Sequence, residues 1–276
     1  MSTVSFDRSP FQIECHRADL DLVVMAKLAD ATLIDLARLL GIDASGVRPV
    51  RVIVADGASS VIDREIRVAP RPAGPKYTTH DWFELLFAHE LTHLLVRDAW
   101  GMPAVLWWEG MAVHLGDDRV RTRLFGQPYH EWCRALEELE ALLPLEPLLR
   151  ASTYYRRRAD LRTDLQAGSF CGFLLQTRGS HRLGRFLAES RPITAPGTQI
   201  VDPVLRRTLG DDLAGLQSEW VRFLRADVRC VPTLVEQLRE RQLGGEPDRP
   251  DHCDQCFAVP GGTHGCLACA REPSSP

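Results

Sequence analysis

The hydrophobic positions of this 276-residue chain change period near residue 80. Before that point, short alternating runs predict strands; after it, spacing by threes and fours predicts helices. Residues 11–16 (FQIECH) alternate and read as a strand. So do residues 49–55 (PVRVIVA), closed by Asp56 and Gly57, and residues 64–69 (REIRVA), which are short and half polar. Between the first two strands, residues 18–40 set Leu22, Met25, Leu28, Leu33, Leu36 and Leu40 at helical spacing, with room for a break, and Gly41 is the stop. The proline-rich stretch 70–75 must be loop.

Residues 80–99 form the strongest helical segment. Thr78, Thr79 and Asp81 are its cap candidates, and Glu84 completes a capping box after Asp81. Gly101 and Pro103 end it, and residues 107–115 start another helix. Residues 129–143 are amphipathic, with Trp132, Leu136, Leu139 and Leu143 on one stripe. Further helices fit 159–177, 183–190, 201–209, 213–226 and 231–243, and residues 244–250 (GGEPDRP) read as a linker. Strands first and helices later give an α+β plan. One domain spans 1–243, with its sheet in 1–79 and its helices in 80–243, and a small cysteine-rich tail fills 251–276.

Composition narrows this picture without redirecting it. The chain is 45% apolar and 25% charged with a formal net charge of −4. That apolar share supports a buried core, and the near-balanced charge argues against a nucleic-acid-coating or polybasic membrane protein. No basic start with an apolar run opens the sequence, and no apolar stretch nears the roughly 18 residues that cross a bilayer. The expectation is a soluble cytoplasmic protein without a membrane partner.

Candidate chemistry concentrates on the strongest helix, which contains His89-Glu90-Leu91-Thr92-His93, an H-E-x-x-H motif. Residues i and i+4 share a helical face about 5–6 Å apart, so both imidazoles can reach one Zn²⁺ at about 2.0–2.1 Å. Glu90 lies next to the first ligand and can take a proton from a metal-activated water. A catalytic zinc keeps three protein ligands and an open position. The third candidate is Glu109, in the apolar run Trp107-Trp108-Glu109-Gly110-Met111-Ala112, where an unpaired carboxylate is costly. The turn at Gly101 and Pro103 lets that helix fold back on the first. Without a metal, the two histidines are buried, satisfied side chains and Glu109 is held by a helix N-terminus.

These residues resemble the gluzincin metallopeptidases, the peptidase-MA-like group, whose second helix supplies a glutamate ligand. Two further stretches look like the compact bacterial members: Gln166-Ala167-Gly168-Ser169-Phe170 with Phe173, Leu174, Leu175 and Gly179, and residues 209–224 with Trp220 and Phe223. The resemblance spans roughly residues 11–226. It implies a small twisted sheet over the active-site helix, hydrolysis of peptide bonds, and a peptide or protein substrate paired in extended form with an edge strand. Residues 64–69 are the strand expected at that edge.

Two departures from the family pattern matter. His114 stands where relatives often carry tyrosine, five residues after the glutamate, and either neighbours the zinc site or simply packs. Asp164 and Leu165 stand where relatives often carry a tyrosine that holds the oxyanion. Tyr154, Tyr155 and His181 are the substitutes, although Tyr154 and Tyr155 also read as an amphipathic surface pair beside Arg156, Arg157 and Arg158, a solvated helix end.

Eight cysteines complete the inventory. Cys15, Cys133, Cys171 and Cys230 are scattered singly and read as buried small hydrophobes. Cys253, Cys256, Cys266 and Cys269 form C-x-x-C, nine residues, C-x-x-C. That spacing closes a tetrahedral structural zinc site with Zn–S near about 2.3 Å and looks like a zinc ribbon. Disulfides are the alternative, and His252 or His264 could replace a cysteine ligand. The ribbon could recruit a protein partner, contact nucleic acid or cover the active site. Two readings stand: a zinc metallopeptidase, either an endopeptidase or a specialised processing protease, with one catalytic and one structural zinc, or an inactive gluzincin-like module that binds or regulates through its ribbon.

Overall fold

A computed structural model describes residues 2–5, 9–70, 78–118, 120, 122, 126–158, 160–190 and 198–240. The tail cysteines and the linker before them lie outside these residues. The fold is α+β, helical in the main, with a small mixed sheet. Its strands are β1 (Ser2–Ser5), β2 (Phe11–Cys15), β3 (Val50–Val54), β4 (Ser60–Ile62) and β5 (Glu65–Val68). They lie in the order β1-β2-β3-β5-β4, with β2, β3 and β5 mutually parallel and the two outer strands antiparallel to their neighbours.

The alternation read in the sequence divides the faces of this sheet. Phe11, Ile13, Val50, Val52, Ile66 and Val68 are buried, while Arg51 on the other face binds Glu14 at 2.8 Å and Glu65 at 3.0 Å. The charged groups of this face pair across neighbouring strands. Helices α1 (Leu22–Leu40) and α2 (Thr79–Trp100) pack against the strands and each other. Phe11 meets Phe87 of α2 edge-on, with ring centroids 5.3 Å apart.

Two strands escaped the pattern, and the placement of a third corrects an expectation. Residues 64–69 do contain a strand, but β5 is interior, between β3 and β4. Among the described residues the edge beside α2 is β4, three residues long and joined to β5 through Asp63, whose φ of 49° makes the tight turn. Arg97 donates to the Asp63 carbonyl and Arg64 pairs with Asp98, so α2 grips this hairpin.

The cap of α2 is Thr78, one of the sequence candidates, but its box closes three residues earlier than read. Thr78 caps the helix and Asp81 closes the box, with Thr78 N donating to Asp81 at 2.8 Å; Glu84 takes no part in it. Gly101 ends α2 and leads to α3 (Val105–Ala112) and a π-helical segment, Val113–Asp118. The remaining helices are α4 (Tyr129–Glu138), α5 (Ala151–Arg157), α6 (Leu161–Glu189), α7 (Thr198–Leu209), α8 (Leu213–Asp227) and α9 (Pro232–Glu240). α4 stops five residues before residue 143, and α5 has no counterpart in the sequence reading. The two helices expected over 159–177 and 183–190 are both present, running together as α6 with a break where Gly179 leaves the helical region at φ 78°.

α6 is the spine of the helical layer. It buries Leu165, Phe170, Phe173 and Leu174 against α3 and its neighbours. Gly110 makes the closest approach: a Cβ there would stand 2.6 Å from the Ala167 carbonyl oxygen, so glycine lets α3 lie directly on α6. Gln166 braces the chain after α4, accepting from Leu143 N at 2.7 Å and donating to its carbonyl at 3.4 Å. Cys15, Cys133 and Cys171 are buried free thiols and Cys230 is half-buried. Among the described residues, no helix is long and apolar enough to cross a membrane.

Candidate metal centre

α2 carries its histidines one turn apart because the helix is continuous through the motif, anchored by the buried Leu91, Leu94 and Leu95. The rings of His89 and His93 stand edge-to-face with centroids 4.9 Å apart. α3 returns across them and presents Glu109, which is only 4% exposed. Glu109 Oε2 is 3.6 Å from His89 Nε2 and 3.8 Å from His93 Nε2. One ligand atom from each of the three residues lies within 4.8 Å of the others.

These spacings are too long for hydrogen bonds and suit donors arranged around a shared cation. Donors about 2.0–2.1 Å from a tetrahedral zinc stand roughly 3.3 Å apart. Glu109 Oε2 is buried and makes no hydrogen bond, though it faces both imidazoles. The Arg158 guanidinium near it stands 3.5 Å away, so this carboxylate oxygen between two histidines is buried without a hydrogen bond to offset its desolvation. The two-histidine, one-carboxylate donor set therefore fits a zinc ion.

Surrounding groups orient the three donors. Asp117 Oδ1 lies 3.4 Å from His89 Nδ1, the ring nitrogen turned away from Glu109. A carboxylate behind a ligating histidine fixes its tautomer and raises its basicity. Asp117 arrives there because Gly116 packs against α2, where a Cβ would stand 2.6 Å from His89 N. Tyr155 donates from its hydroxyl to Glu109 Oε1 at 2.7 Å, leaving Oε2 as the inward oxygen. Trp108 stacks on His93, centroids 4.4 Å apart and planes 18° apart. Arg158 NH2 is 3.5 Å from Glu109 Oε2, and its Nε is 3.6 Å from Asp164.

The electrostatics follow from this crowding. Burial pushes Glu90 up to about 7, with the charge of His89 opposing it. Burial also pushes Glu109 up, but His89, His93 and Arg158 outweigh it and hold the carboxyl well below the usual carboxylate range. His93 is pushed down to about 3 by burial. For His89, burial lowers the pKa, but Asp117, Glu109 and Glu90 more than reverse it and raise the imidazole well above its ordinary value.

His89, Glu90, His93 and Glu109 all line one open cleft of about 530 Å³. Ser59 and Val61 of the β4 edge border it, and Trp82, Leu85, Leu86, Met102 and Trp108 make an apolar wall. The remaining sequence candidates divide. Tyr155 belongs to the site. Tyr154 is fully buried and donates to Asp164 at 2.8 Å, one layer behind it. The surface-pair reading of these tyrosines is therefore corrected, since Tyr154 is buried and Tyr155 half-buried; Arg158 is exposed, as the solvated reading expects, although α5 turns this end of the chain over Glu109.

His114 points the other way, with its Nδ1 3.7 Å from Asp118 and its ring against Gly172. His181 is exposed beyond the α6 kink and does not line the cleft. Cys253, Cys256, Cys266 and Cys269 lie outside the described residues. Asp117, Arg158 and Asp164 were missed by sequence reasoning. The only available signal was an acidic pair and an arginine block at distances along the chain that no local periodicity relates. Neither protein-family models nor the curated proteins give any match to this chain.

Proposed function

We propose that the chain is a zinc-dependent peptidase. The observation that carries this reading is the convergence of three buried donors, His89, His93 and Glu109, beside Glu90 in an open cleft. A zinc ion bound there would supply a Lewis acid that polarises a peptide carbonyl and acidifies water. The protein's own residues do the rest. β4 offers a strand edge to an extended peptide backbone, and the apolar wall of Trp82, Leu85, Leu86 and Trp108 accepts a large hydrophobic side chain. Glu90, which lines the same cleft, takes the proton of the attacking water and delivers it to the leaving amine nitrogen. Tyr155 and Asp117 hold Glu109 and His89 in register. The tail cysteines, by their spacing, carry a second, structural zinc.

Glu90→Gln is the direct test. The variant is expected to keep the parent's zinc content and lose hydrolysis of a peptide library by at least about 10²–10⁴-fold. Equal cleavage by parent and variant would remove Glu90 from the reaction.

A further inference from the structure

The cleft has one arginine among its lining residues, and its position is chemically odd unless an anion joins it. Arg158 is 44% exposed in its side chain, toward the cleft, yet its NH2 lies 3.5 Å from Glu109 Oε2, the oxygen that faces both histidines. A guanidinium and a divalent metal ion competing for one carboxylate oxygen repel each other. The repulsion turns into attraction when negative charge appears between them. Both contacts that hold Arg158 exceed hydrogen-bond length, 3.5 Å to Glu109 and 3.6 Å to Asp164. The guanidinium also lies over the Tyr155 ring, 5.9 Å from its centroid. It is therefore oriented by its neighbours without its donors being spent on them.

Among the described residues, the other side chains weighed for neutralising such charge are committed elsewhere. The Tyr155 hydroxyl donates to Glu109 Oε1, and that of Tyr154 donates to Asp164 away from the cleft. His114 and His181 do not line the cleft. We infer that Arg158 is a catalytic residue that stabilises the charge developing on the substrate carbonyl oxygen. As the water oxygen bonds to the carbonyl carbon, the C=O π pair moves onto oxygen while Glu90 holds the water proton. Arg158 donates to that oxygen. When the C–O double bond re-forms, the C–N bond breaks, its pair stays on nitrogen, and nitrogen takes the proton from Glu90. Tyr154, Asp164 and Tyr155 act as positioning residues for the guanidinium.

This inference rests on the peptidase reading, and one experiment separates their failures. Full-length, zinc-loaded parent, Arg158→Ala and Arg158→Lys are titrated with two inhibitors built on one dipeptide, phosphoryl-Leu-Trp and its hydroxamate analogue. Both require the metal, but only the first presents tetrahedral oxygens like those of the reacting carbon. Arg158→Ala should weaken phosphoryl-Leu-Trp by about 10²–10³-fold, the scale of a lost oxyanion donor. The hydroxamate should weaken by less than about threefold, at unchanged zinc content. Arg158→Lys should fall between parent and Ala, because an ammonium keeps the charge but not the planar fork. The Lys variant carries the test if Ala does not fold. Equal weakening of both inhibitors, or none, overturns the role of Arg158 while leaving the peptidase reading intact. A zinc-loaded parent that binds neither inhibitor overturns both.

Discussion

Two regions of this protein set histidines beside carboxylates, and among the described residues only one of them groups three donors that could hold a metal. In the first, His89, His93 and Glu109 bring their donor atoms within 4.8 Å of one another at the wall of a cleft. In the second, a few residues further along the π-helical segment, His114 and Asp118 sit against His130, Ser169 and Trp220. There several polar atoms are taken up by neighbours, although His114 Nδ1 is buried without a hydrogen bond, 3.7 Å from Asp118. Ser169 Oγ is 2.9 Å from His130 Nδ1 and accepts from Trp220 Nε1 at 3.0 Å, while Asp118 accepts from Tyr129 N at 2.8 Å. The two imidazoles stand 6.2 Å apart, and α6 closes over His114 with no room for a methyl group at Gly172. A histidine facing a carboxylate is common to both regions. What distinguishes the first is that lone pairs converge on a common point and the point opens onto solvent.

That contrast can be broken most decisively at Glu109. Glu109→Ala should lower bound zinc from two ions per chain to one and abolish hydrolysis, as measured by elemental analysis and peptide assay. His114→Ala should leave both readings at the parent level. Loss of zinc from the His114 variant instead would reverse the assignment of the two regions. A smaller effect is expected at Asp117. Asp117→Asn should weaken zinc binding by about 10–100-fold in competition with a chelator, since the carboxylate behind a ligating histidine is worth that much.

The second region should respond in stability and not in metal. Ser169→Ala strips the buried Trp220 Nε1 of its acceptor and should cost about 1–3 kcal/mol in denaturant unfolding. His130 gives this region a pH signature. Burial, reinforced by the charge of His114 and opposed by Asp118, pushes its pKa down to about 4. An unfolded imidazole titrates near about 6.5. Between those values the unfolded chain holds a proton that the folded chain refuses. Stability is therefore intact above that window and falls as pH drops through it. His130→Gln should flatten this limb of the pH–stability curve; an unchanged limb would mean that the imidazole is not held neutral.

Legibility in the sequence follows the same division between local and assembled features. The H-E-x-x-H face could be read because two histidines four apart on one helix depend only on helical geometry. Glu109 could be read because a carboxylate in an apolar run calls for a partner. Asp117 and Arg158 could not be assigned, and Tyr155 could be named only as one of several substitutes, since the π-helical segment and α5 reach the centre through packing that no spacing encodes. β4 escaped because three residues, Ser60, Val61 and Ile62, offer too short a run for alternation. Its absence moved the expected edge to β5. The Gln166 and Ser169 positions, noticed through a resemblance, acquire a physical meaning only in three dimensions, as braces for Leu143 and Trp220.

The contact between Gly116 and the backbone of His89 has a consequence for anyone who would transplant this centre. The helix bearing H-E-x-x-H and the segment bearing Asp117 touch main chain to main chain, so neither can be moved without carrying the other. The smallest portable unit is thus a block of α2, α3 and the turn beyond them, some forty residues long by the chain numbering. A five-residue motif grafted onto a foreign helix would bring the imidazoles without the scaffold that aims them.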